Sequence, residues 1–175
     1  MKSPAIFLDR DGTLMEDVDY CNDPQKVRLF PGVREALARL KSAGFKNVII
    51  TNQSGITRGL VTPEQYEAVH AALIKLLGDG SIDATYFCPD FSERRKPSPA
   101  MVLEAARDLD LDLTRSFFIG DKASDIECGQ NAGVRSILVQ TGYGKTQANC
   151  KPDFIAKDLA AAADSILASA RAKPA

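Results

Sequence analysis

The feature that most constrains the fold is a set of five short apolar runs separated by longer segments with helical spacing. The runs lie at residues 5–8, 48–50, 84–87, 117–119 and 137–139, each bounded by polar or glycine-containing sequence. Runs that are apolar at every residue, rather than at every second one, indicate strands buried on both faces. Such strands, joined by helical crossovers, predict an α/β fold with a doubly wound parallel sheet.

Amphipathic patterns predict the helices of these crossovers at residues 32–43, 63–77, 99–109 and 125–132. The alanine-rich end, residues 160–172, predicts one more helix followed by a frayed tail. A chain of 175 residues is long enough for one sizeable core around one sheet. We therefore expect a single domain over residues 1–175.

Composition excludes several classes of function. Hydrophobic residues make up 45% and charged residues 26%, which is ordinary for a soluble globular protein. A net charge of -1 provides no basic field, so we expect no nucleic-acid partner. The first apolar run is too short for a signal peptide or a membrane span, and the four cysteines form no CxxC pair. We expect a cytoplasmic monomer with reduced thiols and no membrane partner.

Polar, glycine-containing segments follow four of the predicted strands. Ligands of such sheets bind outside the carboxyl ends of the strands, so these segments form the candidate site. Asp9 and Asp11 follow the first strand, and Asp121 follows the fourth. Neighbouring carboxylates in one pocket require a cation, and a small all-oxygen set suits Mg²⁺ better than zinc or calcium. The sequence therefore predicts a magnesium site at Asp9, Asp11 and Asp121.

Thr51 and Lys96 add a hydroxyl and an ammonium group, which suit the oxygens of a transferring phosphoryl group. We expect Asp9 to be the nucleophile and Asp11 to protonate the leaving oxygen and then activate water. Other interpretations stay open at this point. Asp-Gly is a common turn signal, residues 51–52 are ordinary helix N-caps, and a single lysine is most often solvated.

Four segments, in order along the chain, resemble the motifs of the haloacid dehalogenase superfamily of phosphatases. They are residues 7–14, 51–53, 96–97 and 120–125. The resemblance implies the same roles for Asp9 and Asp11, and a magnesium site completed by Asp121 and the Asp11 backbone. It also implies that Thr51 and Lys96 stabilise the transferring phosphoryl group.

Superfamily members often carry a cap domain, inserted after the first motif or between the second and third. Both intervals are too short for one here, so we expect no large cap domain and an open site. Specificity must then come from short loops, such as residues 17–20 and 90–95.

Longer strings at residues 8–13, 51–59, 88–89 and 95–97 resemble one branch of the superfamily. That branch contains the D-glycero-D-manno-heptose 1,7-bisphosphate phosphatases, alongside the histidinol-phosphate phosphatases. The resemblance implies a small phosphorylated sugar as substrate, and removal of the 7-phosphate of the heptose bisphosphate as the reaction. Arg94 and Arg95 suit a second phosphate, which guanidinium binds bidentately. The expected substrate-binding residues are Asp17, Tyr20, Asn52, Gln53, Ser54, Arg95 and Lys122.

The chain departs from this branch between residues 88 and 96. Relatives usually carry a zinc loop that begins Cys-Pro-His and ends with Cys-x-Cys before Arg-Lys-Pro, but here Cys88 is the one such ligand left in the segment. One thiolate and one carboxylate cannot form the closed four-ligand site of structural zinc. We therefore expect no zinc and a shortened loop.

Asp125 and His70 are interpreted as supporting residues. Asp125 is expected to contact the metal site without binding the metal directly, although it could also orient Lys96 or cap a helix. His70 lies within a helical pattern and is interpreted as structural.

Three alternative functions stay open. They are a histidinol-phosphate or other sugar-monophosphate phosphatase, a polynucleotide 3′-phosphatase and a non-catalytic binding domain.

Overall fold

The computed structural model describes residues 2–147 and 149–171, which contain one six-stranded sheet. The order across the sheet is β3-β2-β1-β4-β5-β6, and every neighbouring pair is parallel. The order reverses between β1 and β4, where sheets of this kind bind their ligands. The strands are β1 (Ala5–Leu8), β2 (Lys46–Asn52), β3 (Ala84–Cys88), β4 (Phe117–Gly120), β5 (Arg135–Val139) and β6 (Phe154–Ala156).

Helices cover both faces of the sheet and bury two separate apolar clusters. The helices are α1 (Val33–Ser42), α2 (Pro63–Leu77), α3 (Ala100–Asp108), α4 (Ala123–Asn131) and α5 (Leu159–Arg171). Side chains of α1, α2 and α5 form one cluster with the sheet, and those of α3 and α4 form the other. The predicted doubly wound α/β fold is confirmed.

The central strand shows why the apolar runs are continuous. Ile6 and Leu8 belong to the cluster beneath α1, α2 and α5, whereas Ala5 and Phe7 belong to the cluster beneath α3 and α4. Successive side chains of a strand point to opposite faces, so a strand covered on both faces needs an apolar residue at every position.

Several element bounds differ from the sequence-based expectation, and one strand was not predicted. Strand β2 extends beyond residues 48–50 to include Thr51 and Asn52, so two site residues lie on the strand itself. Helix α4 begins at Ala123, two residues before the predicted start. Strand β6 was not predicted, because it is a three-residue edge strand with Phe154 and Ile155 exposed. The tail predicted after α5 lies outside the described residues.

The intervals that could hold a cap domain contain only short elements. A single 3₁₀ turn, Pro24–Lys26, lies between β1 and α1, and α2 alone lies between β2 and β3. The carboxyl ends of β1, β2 and β4 are therefore not covered by an inserted domain, as expected. In the described parts of the chain, none of the helices has the length and apolar character needed to span a bilayer.

Candidate active site

Lys96 is the centre of a buried ionic cluster at the carboxyl end of β1. Its Nζ donates to Asp9 Oδ1 at 2.7 Å and to the Ile50 carbonyl at 2.8 Å, and it pairs with Asp125 Oδ1 at 2.7 Å. Lys96 and Asp9 are each only 4% exposed. A lysine that is fixed on a strand-end carboxylate in this way is a structural part of the site and not a solvated surface residue.

The charge state of Lys96 is set by competition between burial and its partners. Burial alone lowers the pKa of this ammonium, but the carboxylates of Asp125 and Asp9 more than offset that effect and raise the pKa above its ordinary value. Lys96 therefore stays charged at neutral pH and holds one oxygen of Asp9.

Asp121 is fully buried and carries an unusual oxygen. Its Oδ2 accepts a hydrogen bond from the Tyr143 backbone N–H at 2.8 Å, while its Oδ1 has no hydrogen-bond partner within the described residues. Burial, followed by the negative charge of Asp9, raises the pKa of Asp121 to about 7. A buried unpaired oxygen of this kind needs a partner that a protein donor does not supply here.

Three carboxylates converge on one point. One oxygen from each of Asp9, Asp121 and Asp125 lies within 4.8 Å of the others. Hard oxygen ligands around an unpaired buried carboxylate oxygen fit a divalent cation such as Mg²⁺. Asp121 is the best placed ligand, because Asp125 already contacts Lys96 and accepts from the Lys122 N–H at 3.0 Å.

Two glycines allow the chain to approach Asp121 closely. Gly12 and Gly142 have φ of 89° and 51°, and a Cβ on either would overlap the Asp121 carboxylate. The Thr141 hydroxyl donates to the Gly12 carbonyl at 2.7 Å and ties the two turns together. The turns after β1 and β5 therefore enclose Asp121 only because both positions lack a side chain.

The Asp11 side chain does not join the three clustered carboxylates. Arg10 donates two hydrogen bonds to the Asp11 carboxylate, from Nε to Oδ2 at 2.9 Å and from Nη2 to Oδ1 at 3.1 Å. Gln53 Nε2 donates to Asp11 Oδ2 at 2.8 Å and contacts the Thr51 hydroxyl at 2.9 Å. The sequence argument that Asp9 and Asp11 need one shared cation is therefore incomplete, because Arg10 supplies the counter-charge of Asp11. A metal contact from Asp11, through its backbone oxygen, stays a prediction.

Arg10 was missed as a site residue by the sequence reasoning. Its side chain is buried beneath the motif, with the guanidinium 5.4 Å from the centre of the Tyr66 ring. Burial lowers its pKa, but the neighbouring Asp11 raises it above the ordinary value. An arginine directly after a strand is normally assigned to solvent, and only the tertiary position of Tyr66 on α2 reveals its burial.

All seven expected substrate-binding residues line one cavity of about 500 Å³ in front of Asp9. Thr51 and Asp121 lie behind its wall, at 1% and 0% exposure. The cavity therefore joins the predicted nucleophile to the predicted recognition residues. The residues brought together are Asp17, Tyr20, Asn52, Gln53, Ser54, Arg95 and Lys122.

The loop at residues 17–20 is held over the cavity by Lys122 and Tyr143. Lys122 Nζ lies 3.1 Å from Asp17 Oδ2 and 4.9 Å from the centre of the Tyr143 ring. The Tyr143 hydroxyl donates to Asp19 at 3.4 Å. Tyr143 was not predicted, although the rule that site residues follow strands also points to the segment after β5.

The arginine pair expected to bind a second phosphate is divided in the structure. Arg95 lines the cavity, whereas Arg94 does not line it and pairs with Glu104 at 2.8 Å. Arg94 is therefore engaged by a carboxylate of α3 and does not share the position of Arg95 at the cavity.

The shortened segment after β3 is held by its own polar contacts. The Cys88 thiol is buried and lies 3.3 Å from Asp90 Oδ1, which accepts from the Ser92 N–H at 2.9 Å. His70, on α2, stacks on Tyr66 with ring centres 5.9 Å apart and does not line the cavity. The position of His70 agrees with its interpretation as a structural residue.

Comparison with known proteins places this geometry in a family. A sequence model of the family described as HAD-hydrolase-like matches residues 93–162. The D-glycero-D-manno-heptose-1,7-bisphosphate 7-phosphatase of Thermosynechococcus vestitus is 42% identical, over 94% of this chain and 95% of that protein. The enzyme of the same name from Chlorobaculum tepidum is also 42% identical, over 89% of each chain.

A solved structure agrees with these relatives. The crystal structure of D,D-heptose 1,7-bisphosphate phosphatase from B. bronchiseptica, complexed with magnesium and phosphate, superposes with a TM-score of 0.88. It is 33% identical and covers 95% of this chain and 99% of its own. The family model and these relatives therefore show a haloacid dehalogenase-like hydrolase. This chain belongs to that family and is a phosphoric monoester hydrolase, and the relatives reported above are named heptose bisphosphate phosphatases. The predicted family and enzyme class are confirmed.

Proposed function

We propose that this chain is a magnesium-dependent phosphatase that removes the 7-phosphate of D-glycero-D-manno-heptose 1,7-bisphosphate through an aspartyl-phosphate on Asp9. The observation that carries the proposal is the contact of buried Lys96 with Asp9, beside the unpaired oxygen of Asp121. This arrangement lies beside a cavity lined by Arg95 and Lys122. The names of the relatives supply the substrate.

In the first step Asp9 attacks phosphorus. A bond forms between an Asp9 carboxylate oxygen and phosphorus while the bond to the sugar oxygen breaks, and Asp11 gives that oxygen a proton. Lys96 holds Asp9 Oδ1 and fixes the orientation of the attacking carboxylate. Asp9, Asp121 and the Asp11 backbone would hold Mg²⁺, which would offset the negative charge of the phosphoryl oxygens.

In the second step Asp11 takes a proton from water, which attacks phosphorus and releases phosphate and free Asp9. Arg10 and Gln53 both donate to Asp11 Oδ2, whereas Oδ1, in the described part of the chain, accepts from Arg10 alone and keeps a lone pair for proton transfer. Arg10 therefore orients Asp11 for proton transfer through Oδ1.

The charge and size of the cavity support a small phosphorylated substrate. A volume of about 500 Å³ lies within the usual range for small-molecule sites. Burial lowers the pKa of Lys122, but Asp9, Asp121 and Asp17 raise it above the ordinary value, so this lysine stays cationic. Cations at positions 95 and 122 suit a ligand that carries phosphate, and residues 52–54 offer polar groups to sugar hydroxyls.

The test is phosphate release by the purified protein with magnesium from the heptose bisphosphate, histidinol phosphate, sugar monophosphates and a 3′-phosphorylated oligonucleotide. We expect the highest kcat/KM for the bisphosphate, with ³¹P NMR showing loss of the 7-phosphate. Asp9→Asn should abolish turnover, whereas Asp79→Asn, an exposed carboxylate elsewhere, serves as the matched control. Flat activity across the panel would reject the substrate, and normal activity of Asp9→Asn would reject the mechanism.

Localisation, oligomeric state and domain number complete the proposal. We propose a cytoplasmic monomer in which residues 1–175 form one domain, supported by the four free thiols and the single sheet. Light scattering and a single cooperative unfolding transition would test size and domain number. Elemental analysis of the purified protein tests the prediction that it binds no zinc.

A further inference from the structure

Phe91 is an exposed aromatic residue at the rim of the cavity, and its ring is contacted by two arginines. Its ring centre lies 5.2 Å from the Arg58 guanidinium carbon and 5.0 Å from that of Arg95, although the residue is 56% exposed. Arg58 also lies 6.0 Å from the ring centre of Tyr20, which lines the cavity. Tyr20, Arg58, Phe91 and Arg95 together are called the rim stack. An aromatic ring attracts a cation over either of its faces, because each face carries partial negative charge.

The backbone beneath Phe91 is fixed by its neighbours. Asp90 accepts from the Ser92 N–H at 2.9 Å, and the buried Cys88 thiol contacts Asp90. The Thr57 hydroxyl donates to the Pro89 carbonyl at 2.7 Å and joins this turn to the segment that carries Arg58. The position of Phe91 therefore does not depend on its own exposed ring.

Arg95 has no carboxylate partner within the described residues, and its Nη1 is buried without a hydrogen bond. The adjacent Arg94 differs, because it is paired with Glu104. A guanidinium offers five donors, so Arg95 faces the cavity with donors that the protein does not use. The contact with the Phe91 ring uses none of these donors.

We propose that Phe91 is a positioning residue for substrate recognition, which holds Arg95 against its ring so that the free donors of Arg95 meet the phosphate remote from the reacting one. Arg58 also lies over this ring and steadies it. The proposal rests on the proposed bisphosphate substrate, since a monophosphate has no remote phosphate to bind. An ion pair would also orient Arg95 but would compete with the ligand for its donors, whereas a ring does not.

The first test is steady-state kinetics of Phe91→Ala with the heptose bisphosphate and with p-nitrophenyl phosphate. We expect KM for the bisphosphate to rise about fivefold, the effect of one or two exposed cation–π contacts. Phe91→Trp should restore KM, whereas Phe91→Leu should not, since it keeps apolar bulk but has no ring. Phe154→Ala removes an exposed phenylalanine at the far edge of the sheet and is the matched control.

A double variant shows whether Phe91 acts through Arg95. Arg95→Gln alone should raise KM for the bisphosphate, and adding Phe91→Ala should change it no further. Independent effects that multiply in the double variant would overturn the proposal, as would an unchanged KM for the bisphosphate in Phe91→Ala.

A second measurement does not depend on the substrate. The Arg95 Nε–Hε signal in ¹⁵N NMR should be ordered in the native protein, lose order in Phe91→Ala and regain it in Phe91→Trp. If the native enzyme shows no preference for the bisphosphate, the proposed substrate fails while this signal still decides the role of Phe91. Unchanged order in Phe91→Ala would overturn the positioning role whatever the substrate is.

Discussion

Replacing Lys96 with methionine tests the buried ionic cluster most directly. The substitution keeps an unbranched side chain of similar size but removes the ammonium that lies 2.7 Å from Asp9 and 2.7 Å from Asp125. Three carboxylates with oxygens within 4.8 Å of one another would then have no internal cation. Removing one partner of a buried ion pair costs about 3–5 kcal/mol, because the remaining charge is left without compensation. We expect a loss of stability in that range.

The measurement is urea unfolding at neutral pH in the presence of EDTA, so that no added metal replaces the lost charge. The loss should shrink as the pH falls, since protonation neutralises the unpaired carboxylates. Lys157→Met, at a lysine whose side chain is 77% exposed, is the matched control and should change stability by less than about 0.5 kcal/mol.

A second variant separates lost packing from lost charge. Asp125→Asn removes one of the carboxylates that Lys96 neutralises, so the double variant should be more stable than Lys96→Met alone, by about 1 kcal/mol or more. A loss below about 1 kcal/mol in Lys96→Met, or no recovery in the double variant, would refute the electrostatic account of the cluster.

Three further predictions concern other parts of the molecule. Arg10→Lys keeps the charge but loses the fork that grips the general acid, so kcat should fall about tenfold with little change in KM, as steady-state kinetics on the folded variant would show. Burial alone would raise the pKa of Asp83, but hydrogen bonds from two lysines and a backbone N–H lower it. Its contribution is therefore present above the unfolded pKa of about 3.9 and lost as the pH falls through the lower folded value. Urea unfolding of Asp83→Asn should show a deficit of about 1–2 kcal/mol at pH 7 that closes as the pH falls below the unfolded pKa and through the lower folded pKa. Gly142→Ala places a methyl group against Asp121 and should weaken magnesium binding about tenfold by calorimetry. Gly44→Ala, at a positive φ with open space around it, is the control for backbone strain alone. An equal loss of magnesium affinity in both variants would show that the close approach of Gly142 to Asp121 is not the cause.

The sheet could be predicted because a strand that is buried on both faces needs an apolar residue at every position. Residues 5–8 and 117–119 are apolar at every position, and the structure covers both faces of these strands. Strand β6 left no such record, since Phe154 and Ile155 face outward at the edge of the sheet. Its pairing with β5 depends on backbone hydrogen bonds, which any sequence without proline can make.

The sequence predicts which residues lie together where they directly follow strands, but it does not predict the contacts between distant loops. Asp9 and Asp121 follow from the rule that carboxyl ends of parallel strands converge. Tyr143 reaches Asp19 across 124 positions of sequence, and Asp19 itself has a positive φ of 42°. A local pattern cannot specify a pair of this separation, because each partner alone is an ordinary loop residue.

The charges of the cluster explain why the metal prediction has a physical basis beyond motif similarity. Asp9, Asp121 and Asp125 share one fully buried cation, Lys96, so two negative charges are in excess when all three carboxyls are ionised, and the raised pKa of Asp121 reflects that excess. One divalent cation neutralises that excess, and the unpaired Oδ1 of Asp121 is where it is least compensated. Asp11 contributes nothing to the excess, since Arg10 balances it locally. The two aspartates of the motif therefore have different environments. Asp9 is directed to the metal and the phosphoryl group, whereas Arg10 holds Asp11 apart for proton transfer.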